Sequence, residues 1–331
     1  MNILALKRFA VEHSDLNDHK PHVVDNTGKR VSVIGGGPAG LSCAYYLAVM
    51  GHKVTIFEQR HHLGGMLRYG IPSYRLPRER LQAEIDWILS AGIDVELDHS
   101  VNGEELARLR DEFDAVYLAI GAHSDKKLGL PGEEAPGVES AVKMLRAIGD
   151  DELPDLSGQR VCVIGGGNVA MDVCRTAIRL GAQDTYVIYR RSQAEMPADA
   201  EEVAEAMEEG VQFRFLSAPA EILGENGKVK AIKVEIMELG EPDEKGRRKP
   251  VGTGEFETLA VSAVISAIGQ QIDLCGIDAG SKLQLGKRGT VLVDPATYQT
   301  DEPDVFAGGD LVTGPKFAID AIACLLYTSD A

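Results

Sequence analysis

The chain has 331 residues, room for about two domains, and its 44% hydrophobic and 26% charged residues are ordinary for a folded globular protein. A formal net charge of −17 excludes a general binder of nucleic acid or anionic membranes, both of which need cationic surface. No apolar run reaches the roughly 18 residues of a membrane span, and Met1–Arg8 places its charges after a very short apolar patch, the reverse of a secretion signal, so the chain reads as cytoplasmic.

Residues 3–12 put Ile3, Leu6 and Ala10 on one face and read as a short helix, followed by a polar linker, Ser14–Lys29. The β-branched run Arg30-Val-Ser-Val-Ile then feeds into Gly35-Gly36-Gly37-Pro38-Ala39-Gly40. In this pattern Gly35 allows a tight turn off a strand and Gly37 lets the backbone approach a pyrophosphate. Gly40 lets the following helix pack on the sheet, and that helix offers unpaired N–H groups to the anion. The helical segment Leu41–Met50 and the strand Val54–Phe57 follow, and the strand ends on Glu58, 23 positions after Gly35. A carboxylate about 20 residues on is what a ribose hydroxyl needs as acceptor. The stretch is a dinucleotide site.

Residues 59–77, with Gly64, Gly65, Pro72 and Pro77, read as an ordered loop rather than a helix. An amphipathic helix carries Leu81, Ile85, Ile88 and Leu89 on one face and is closed by Gly92. Strands are expected at Ile93–Leu97 and Ala115–Ile120, the second ending at Gly121.

The fingerprint then recurs. Arg160-Val-Cys-Val-Ile leads into Gly165-Gly166-Gly167-Asn168-Val169-Ala170, with alanine in place of the third glycine, as the motif permits. The next strand, Thr185–Tyr189, ends in Arg190-Arg191 where the first copy has Glu58. An acid repels a 2′-phosphate, whereas paired arginines neutralise one through bidentate hydrogen bonds. The first copy therefore suits an unphosphorylated ribose and the second suits NADP. Two such units 130 residues apart imply two dinucleotides.

Residues 195–209 hold seven acids and no base, with Ala200, Val203, Ala204 and Met207 on one stripe, and read as a capped surface helix or a dock for a basic partner. Strands are expected at Val211–Leu216 and Val229–Met237, joined through a turn at Gly224–Gly227, with a charged loop at Glu241–Pro250. A single buried strand is expected over Leu259–Ile268, ending at Gly269. Gly289–Asp294 and Val305–Phe306 lead into Ala307-Gly308-Gly309-Asp310 and a helical start at Phe317. The five cysteines form no CxxC pair and no ligand cluster, and Cys43, Cys162 and Cys174 fall in apolar segments as small buried hydrophobes. A dithiol for disulfide reduction is thus missing from the sequence.

The glycine motifs, Gly64–Pro72, Leu128–Glu133, Tyr189–Ser192, Glu195-Met-Pro197 and Ala307–Asp310 occur in an order that resembles the small (beta) subunit of NADPH-dependent glutamate synthase and its relatives, over residues 28–323. Those relatives include electron-bifurcating ferredoxin:NADP oxidoreductases, sulfide dehydrogenases and the front half of dihydropyrimidine dehydrogenase. The resemblance implies an α/β fold of two Rossmann-like dinucleotide-binding domains, the NADPH domain inserted into a discontinuous FAD domain. The implied boundaries are 1–29 for a helix and linker, 30–155 and 269–323 for the FAD domain, and 156–268 for the NADPH domain. The end of the chain, 324–331, reads as a non-native tail.

On the same resemblance Gly36–Gly40 and Glu58 hold the FAD pyrophosphate and ribose. Gly65, Met66 and Arg75 line the flavin side, Val101 lies near the adenine, and Asp310 beside Gly309 accepts from the ribityl hydroxyls. Gly166–Val169 cradle the NADPH pyrophosphate, Arg190 and Arg191 hold its 2′-phosphate, and Gly121 and Gly269 end strands where a cofactor approaches the backbone. The implied reaction is hydride transfer from NADPH to the flavin between the two domains, with no general acid or base nominated; the eight histidines read as surface or loop residues. Electrons would pass to a partner subunit, the glutamate synthase large subunit or an equivalent. The family's N-terminal domain with two 4Fe–4S clusters is not within this sequence, whose cysteines are not clustered as such ligands must be. Two alternatives stand beside this: the same unit serving ferredoxin, sulfide, a formate dehydrogenase or a hydrogenase, and a truncated fragment that binds nucleotides without turnover.

Overall fold

The computed structural model describes residues 3–16, 19–243, 246 and 248–326. The chain forms two compact units: Met1–Arg68 with Ser73–Ala122 and Ile272–Ala331, and Tyr69–Pro72 with His123–Gln271.

The first unit is built on a five-stranded parallel sheet in the order Val305–Ala307, Ala115–Leu118, Arg30–Ile34, Lys53–Phe57, Asp94–Glu96. The strands are β-branched and apolar because both faces are covered. Val33, Val54 and Ile56 face the helices Pro38–Val49 and Arg78–Leu89, while Ile34, Phe57 and Leu118 face the helix Gly103–Glu112. Burying each such side chain contributes about 1.5–3 kcal/mol. The N-terminal helix Ile3–Glu12 is exposed along its described length, and the segment after it is tied down where Trp87 Nε1 donates to the carbonyl of His19 at 2.5 Å.

The second unit repeats the plan: Val138–Ser140, Ala263–Ser266, Arg160–Ile164, Asp184–Tyr189, Gln212–Phe215, all parallel. The crossover from Gln212–Phe215 to Ala263–Ser266 is made not by a helix but by a three-stranded antiparallel sheet, Ser217–Glu225, Lys228–Pro242 and Arg248–Ala260. Its Ile222, Val229, Ile232 and Val234 pack on Cys162, Ile164 and Val264, so this sheet covers the face a crossover helix would cover.

The structure departs from the sequence reading at several points. Residues 123–155 belong to the second unit rather than the first. Val138–Ser140 supplies its edge strand, and Ala141, Met144 and Leu145 of the helix Ala141–Gly149 share a core with Met171 and Cys174. The run 259–268 is two strands: Leu259 and Ala260 end one, paired antiparallel to Ile232 and Ala231, and after Val261-Ser262 the chain enters the parallel sheet at Ala263. The strand Ser217–Glu225 replaces what reads as connection. The loop 59–77 contains a single helical turn, Met66–Tyr69. Of Gly289–Asp294 only Val291 pairs, in an isolated bridge with Leu285. The helix Ala200–Glu208 buries Val203 and Ala206, whereas Ala204 and Met207 are exposed. Helix Ala318–Leu326 runs into the stretch read as a tail, whose residues 327–331 lie outside the described ones. No described helix is long and apolar enough to cross a membrane.

Candidate functional site

The two glycine loops are built alike down to single atoms. Gly35 donates to the carbonyl of Phe57 at 2.8 Å and Gly165 to that of Ile188 at 3.1 Å, while Ala119 and Ala267 donate to Ile34 and Ile164, both at 2.8 Å. At φ +106° Gly35 has no room for a side chain, since a Cβ would lie 2.5 Å from the Ala119 carbonyl oxygen; Gly165, at φ +148°, is crowded in the same way by Ala267. Each loop thus turns off its strand against the end of a neighbouring strand. The helices that follow start from Gly37 and Gly167 with no side-chain cap, while Asn102, Ser140 and Asp199 cap theirs at 2.9, 3.0 and 2.9 Å. No side chain therefore competes with an anion for the N–H groups that open either helix, Ala39 and Gly40 after Pro38 in the first and Asn168 and Val169 in the second.

In the first unit Glu58 is 6% exposed and closes the loop from below. Its Oε2 accepts from the N–H of Gly36 at 2.7 Å and its Oε1 from that of Arg60 at 2.9 Å. Burial pushes this carboxyl up, against the lowering effect of those two N–H groups. Gly64 donates to the Gly36 carbonyl at 2.8 Å, and Gly65 comes so near Gly37 that a Cβ on it would lie 2.6 Å from the Gly37 Cα. The late turn joins the same place: a Cβ on Gly309 would sit 2.8 Å from that of Ala39. Asp310 then opens a short helix, is raised by burial, and accepts from the N–H of Lys316 at 3.1 Å.

So Gly35–Gly40, Glu58, Gly64, Gly65, Gly309 and Asp310 are brought together. Met66 follows directly in the turn Met66–Tyr69, and Arg75 is exposed. Val101 is buried in the cluster of Ile34, Phe57 and Leu106, so only its main chain is available to a ligand. A Cβ on Gly121, which has φ +70°, would meet nothing within 4 Å.

In the second unit Arg190 and Arg191 follow directly on the strand Asp184–Tyr189 beside the glycine loop, where Glu58 stands in the first. Among the described residues neither forms an ion pair, and Arg191 Nε is buried without a hydrogen-bond partner. A buried guanidinium N–H is costly to leave unmet, and a phosphate oxygen is a group that can satisfy it. Tyr189 lies under the loop: a Cβ on Gly166 would come 2.5 Å from its ring, while one on Gly167 would touch nothing within 4 Å. Asn168 Oδ1 accepts from the Asp199 N–H at 3.0 Å, so its side chain is spent on the protein while Val169 stands half-buried in the first turn. Gly269, at φ +111°, follows the strand Ala263–Ser266 near Lys126.

The sequence reading missed Leu63, which fills the space beside Gly36, and the fold-back of residues 192–199 over the second loop. Only Glu195-Met-Pro197, which forms part of the resemblance, pointed there. Of the described thiols, Cys43, Cys162 and Cys174 are buried, with burial pushing Cys174 up to about 12, while Cys275 is exposed.

The family model for pyridine nucleotide-disulphide oxidoreductases matches residues 29–323. The NADP(+)-dependent formate dehydrogenase subunit beta of Moorella thermoacetica is 47% identical over 303 residues, 90% of this chain and 42% of that one. The glutamate synthase [NADPH] small chain of Escherichia coli is 36% identical over 316 residues, 91% of this chain and 67% of that one. The chain thus spans only part of the length of its relatives, less than half in the first case. Among solved structures, FprA from Mycobacterium tuberculosis in complex with NADPH superposes with a TM-score of 0.76 at 21% identity, covering 91% of this chain and 84% of that one, which shows the fold. FAD and NADPH are the cofactors of the matching family, and two dinucleotide-binding loops are what such a pair requires. By the reach of the family match and the identity of these relatives, the chain belongs to the pyridine nucleotide-disulphide oxidoreductase family.

Proposed function

We propose that the chain is the dinucleotide-handling part of an electron-transfer oxidoreductase, with FAD on the first unit, NADPH on the second, and a partner subunit exchanging electrons with the flavin. One observation carries the assignment. At the same point of two otherwise matching loops stands a buried carboxylate, Glu58, in one unit and an arginine pair with an unmet buried N–H, Arg190 and Arg191, in the other. A carboxylate accepts from a free ribose hydroxyl and repels a 2′-phosphate, while the arginines do the opposite. Gly65, Met66, Gly309 and Asp310 fit the isoalloxazine and ribityl portion, Val101 offers main chain to the adenine, and Gly121 and Gly269 leave strand ends open. Arg75 is exposed on the same unit.

With both cofactors bound, the chemistry supplied is hydride transfer from the nicotinamide to the flavin. The chain's own contribution is placement: N–H groups of Gly37, Ala39 and Gly40 and of Gly167–Val169 against pyrophosphates, Glu58 against a ribose, and guanidiniums against the 2′-phosphate. No side chain has to move a proton in that step. A glutamate synthase large subunit is one fitting partner. The greater identity to the formate dehydrogenase subunit, 47% against 36%, favours a formate-oxidising partner with NADP as the electron acceptor as the second reading.

An anaerobic absorbance titration tests the assignment. The flavin band should bleach with one equivalent of NADPH and only weakly with NADH. Equal bleaching by both removes the 2′-phosphate assignment, and a protein that takes up no FAD leaves a nucleotide-binding fragment.

A further inference from the structure

The segment after Arg191 does not leave the site but folds back across it. Ser192–Glu195 closes into a tight turn in which the Ser192 N–H and hydroxyl both donate to the Glu195 carboxylate, the N–H at 3.2 Å, and Tyr189 Oη donates to the Glu195 carbonyl at 2.7 Å. Past Pro197 the chain meets the glycine loop: Ala198 donates to the Gly166 carbonyl at 3.1 Å, and Asp199 donates to Asn168 Oδ1 at 3.0 Å. Asp199 then caps the helix Ala200–Glu208, and Glu205 and Glu209 grip Arg175, which is 8% exposed, on the helix that starts at Asn168. The strap 192–199 therefore begins at the arginines and is pinned at its far end to the pyrophosphate loop.

We infer that Asn168 is a positioning residue for cofactor selectivity: by holding Asp199 it fixes the strap, and through the strap the spacing between the glycine loop and Arg190–Arg191. This rests on the reading of the second unit as the NADPH site. A ligand that engages the loop and the arginines together gains from that fixed spacing, because no ordering of the strap is left for binding to offset. A ligand lacking the 2′-phosphate uses the loop alone and gains little. Nothing in the sequence spacing indicates this role, since a residue at 168 would otherwise contribute only its backbone to a helix N-terminus.

The test is steady-state NAD(P)H oxidation by the FAD-loaded chain with ferricyanide as acceptor, reading the ratio of kcat/KM for NADPH to that for NADH. Asn168→Ala should lower this ratio about tenfold, mainly through KM for NADPH, and Asn168→Asp, which keeps an acceptor for Asp199, should recover most of it. In an Arg191→Ala background Asn168→Ala should change the ratio by less than about twofold, because the linked subsite is already lost. Ala198→Pro, which deletes the donor to Gly166, should act like Asn168→Ala and covers the case in which that variant fails to fold. A ratio unchanged in Asn168→Ala and Ala198→Pro, or effects that multiply with Arg191→Ala, overturns the inference. A ratio unchanged in Arg190→Ala/Arg191→Ala instead overturns the underlying NADPH assignment.

Discussion

The carboxylate of Glu58 accepts from the N–H of Gly36 at 2.7 Å, so the acid at the end of the second strand and the glycine loop after the first form one unit before a ligand binds. Glu58→Ala strips acceptors from the buried N–H of Gly36, at about 1–3 kcal/mol, and from the half-buried N–H of Arg60, and should cut FAD affinity at least about tenfold as read by equilibrium dialysis. Because burial raises this carboxyl, the fold holds its proton more tightly than the unfolded chain does. Its contribution to stability is therefore present at low pH and lost as pH rises through the folded value. The melting temperature of flavin-free Glu58→Gln relative to the parent should thus be more favourable near pH 8 than near pH 4.5. An unchanging difference would show that Glu58 titrates in the fold as it does in the unfolded chain.

Both glycine loops, the strands around them and the Glu58-versus-arginine contrast were legible in the sequence, because each depends on residues within about 25 positions of one another. What was not legible depends on distant partners. The run 259–268 is evenly apolar, and only its pairing, Leu259 with Ile232 and Val264 with Cys162, splits it into two strands. The helix Ala200–Glu208 is turned so that Glu205 and Glu209 reach Arg175 and Arg179, and this buries Ala206 instead of the apolar Met207. Of the apolar stripe the structure thus buries Val203 and leaves Ala204 and Met207 exposed. Asn168 read as part of an anion cradle, yet its side chain serves Asp199, thirty-one residues on.

Gly166 and Gly167 should separate fold from binding. A Cβ on Gly166 meets the Tyr189 ring at 2.5 Å, so Gly166→Ala should lower the melting temperature of the ligand-free protein and disturb the arginines that follow Tyr189. Gly167 has an ordinary negative φ and open space, so Gly167→Ala should leave the melt unchanged. Its new methyl group would stand where the pyrophosphate approaches, and NADPH affinity should fall about tenfold or more by calorimetry. Unimpaired NADPH binding in Gly167→Ala would place the dinucleotide elsewhere.

On the proposed reading Arg190→Ala/Arg191→Ala removes the two cations that face a 2′-phosphate, each charge-assisted bond being worth about 1.5–3 kcal/mol. KM for NADPH should rise about tenfold to a hundredfold with little change for NADH. The variant should melt no lower than the parent, since the buried Nε of Arg191 has no partner to lose. A parallel rise for both dinucleotides would contradict 2′-phosphate recognition.

Glu209 sets the acid limit of the second unit. The guanidinium of Arg179, and with it that of Arg175, holds the Glu209 carboxyl down at about 2, with bonds of 2.9 Å from Arg179 and 2.6 and 3.0 Å from Arg175. A carboxyl lowered in the fold stabilises above its unfolded value, near 4.3, and that stabilisation is lost as pH falls from there towards about 2. Glu209→Gln takes one carboxylate away from the nearly buried Arg175, which keeps Glu205, and should cost about 1–3 kcal/mol at neutral pH by urea titration. Near pH 3, where much of the parent's advantage is already lost to protonation, the gap between the two proteins should narrow. A gap that stays constant across this range would mean that Glu209 acts through packing instead of charge, and the tie between the helices Asn168–Arg179 and Ala200–Glu208 would then not be electrostatic.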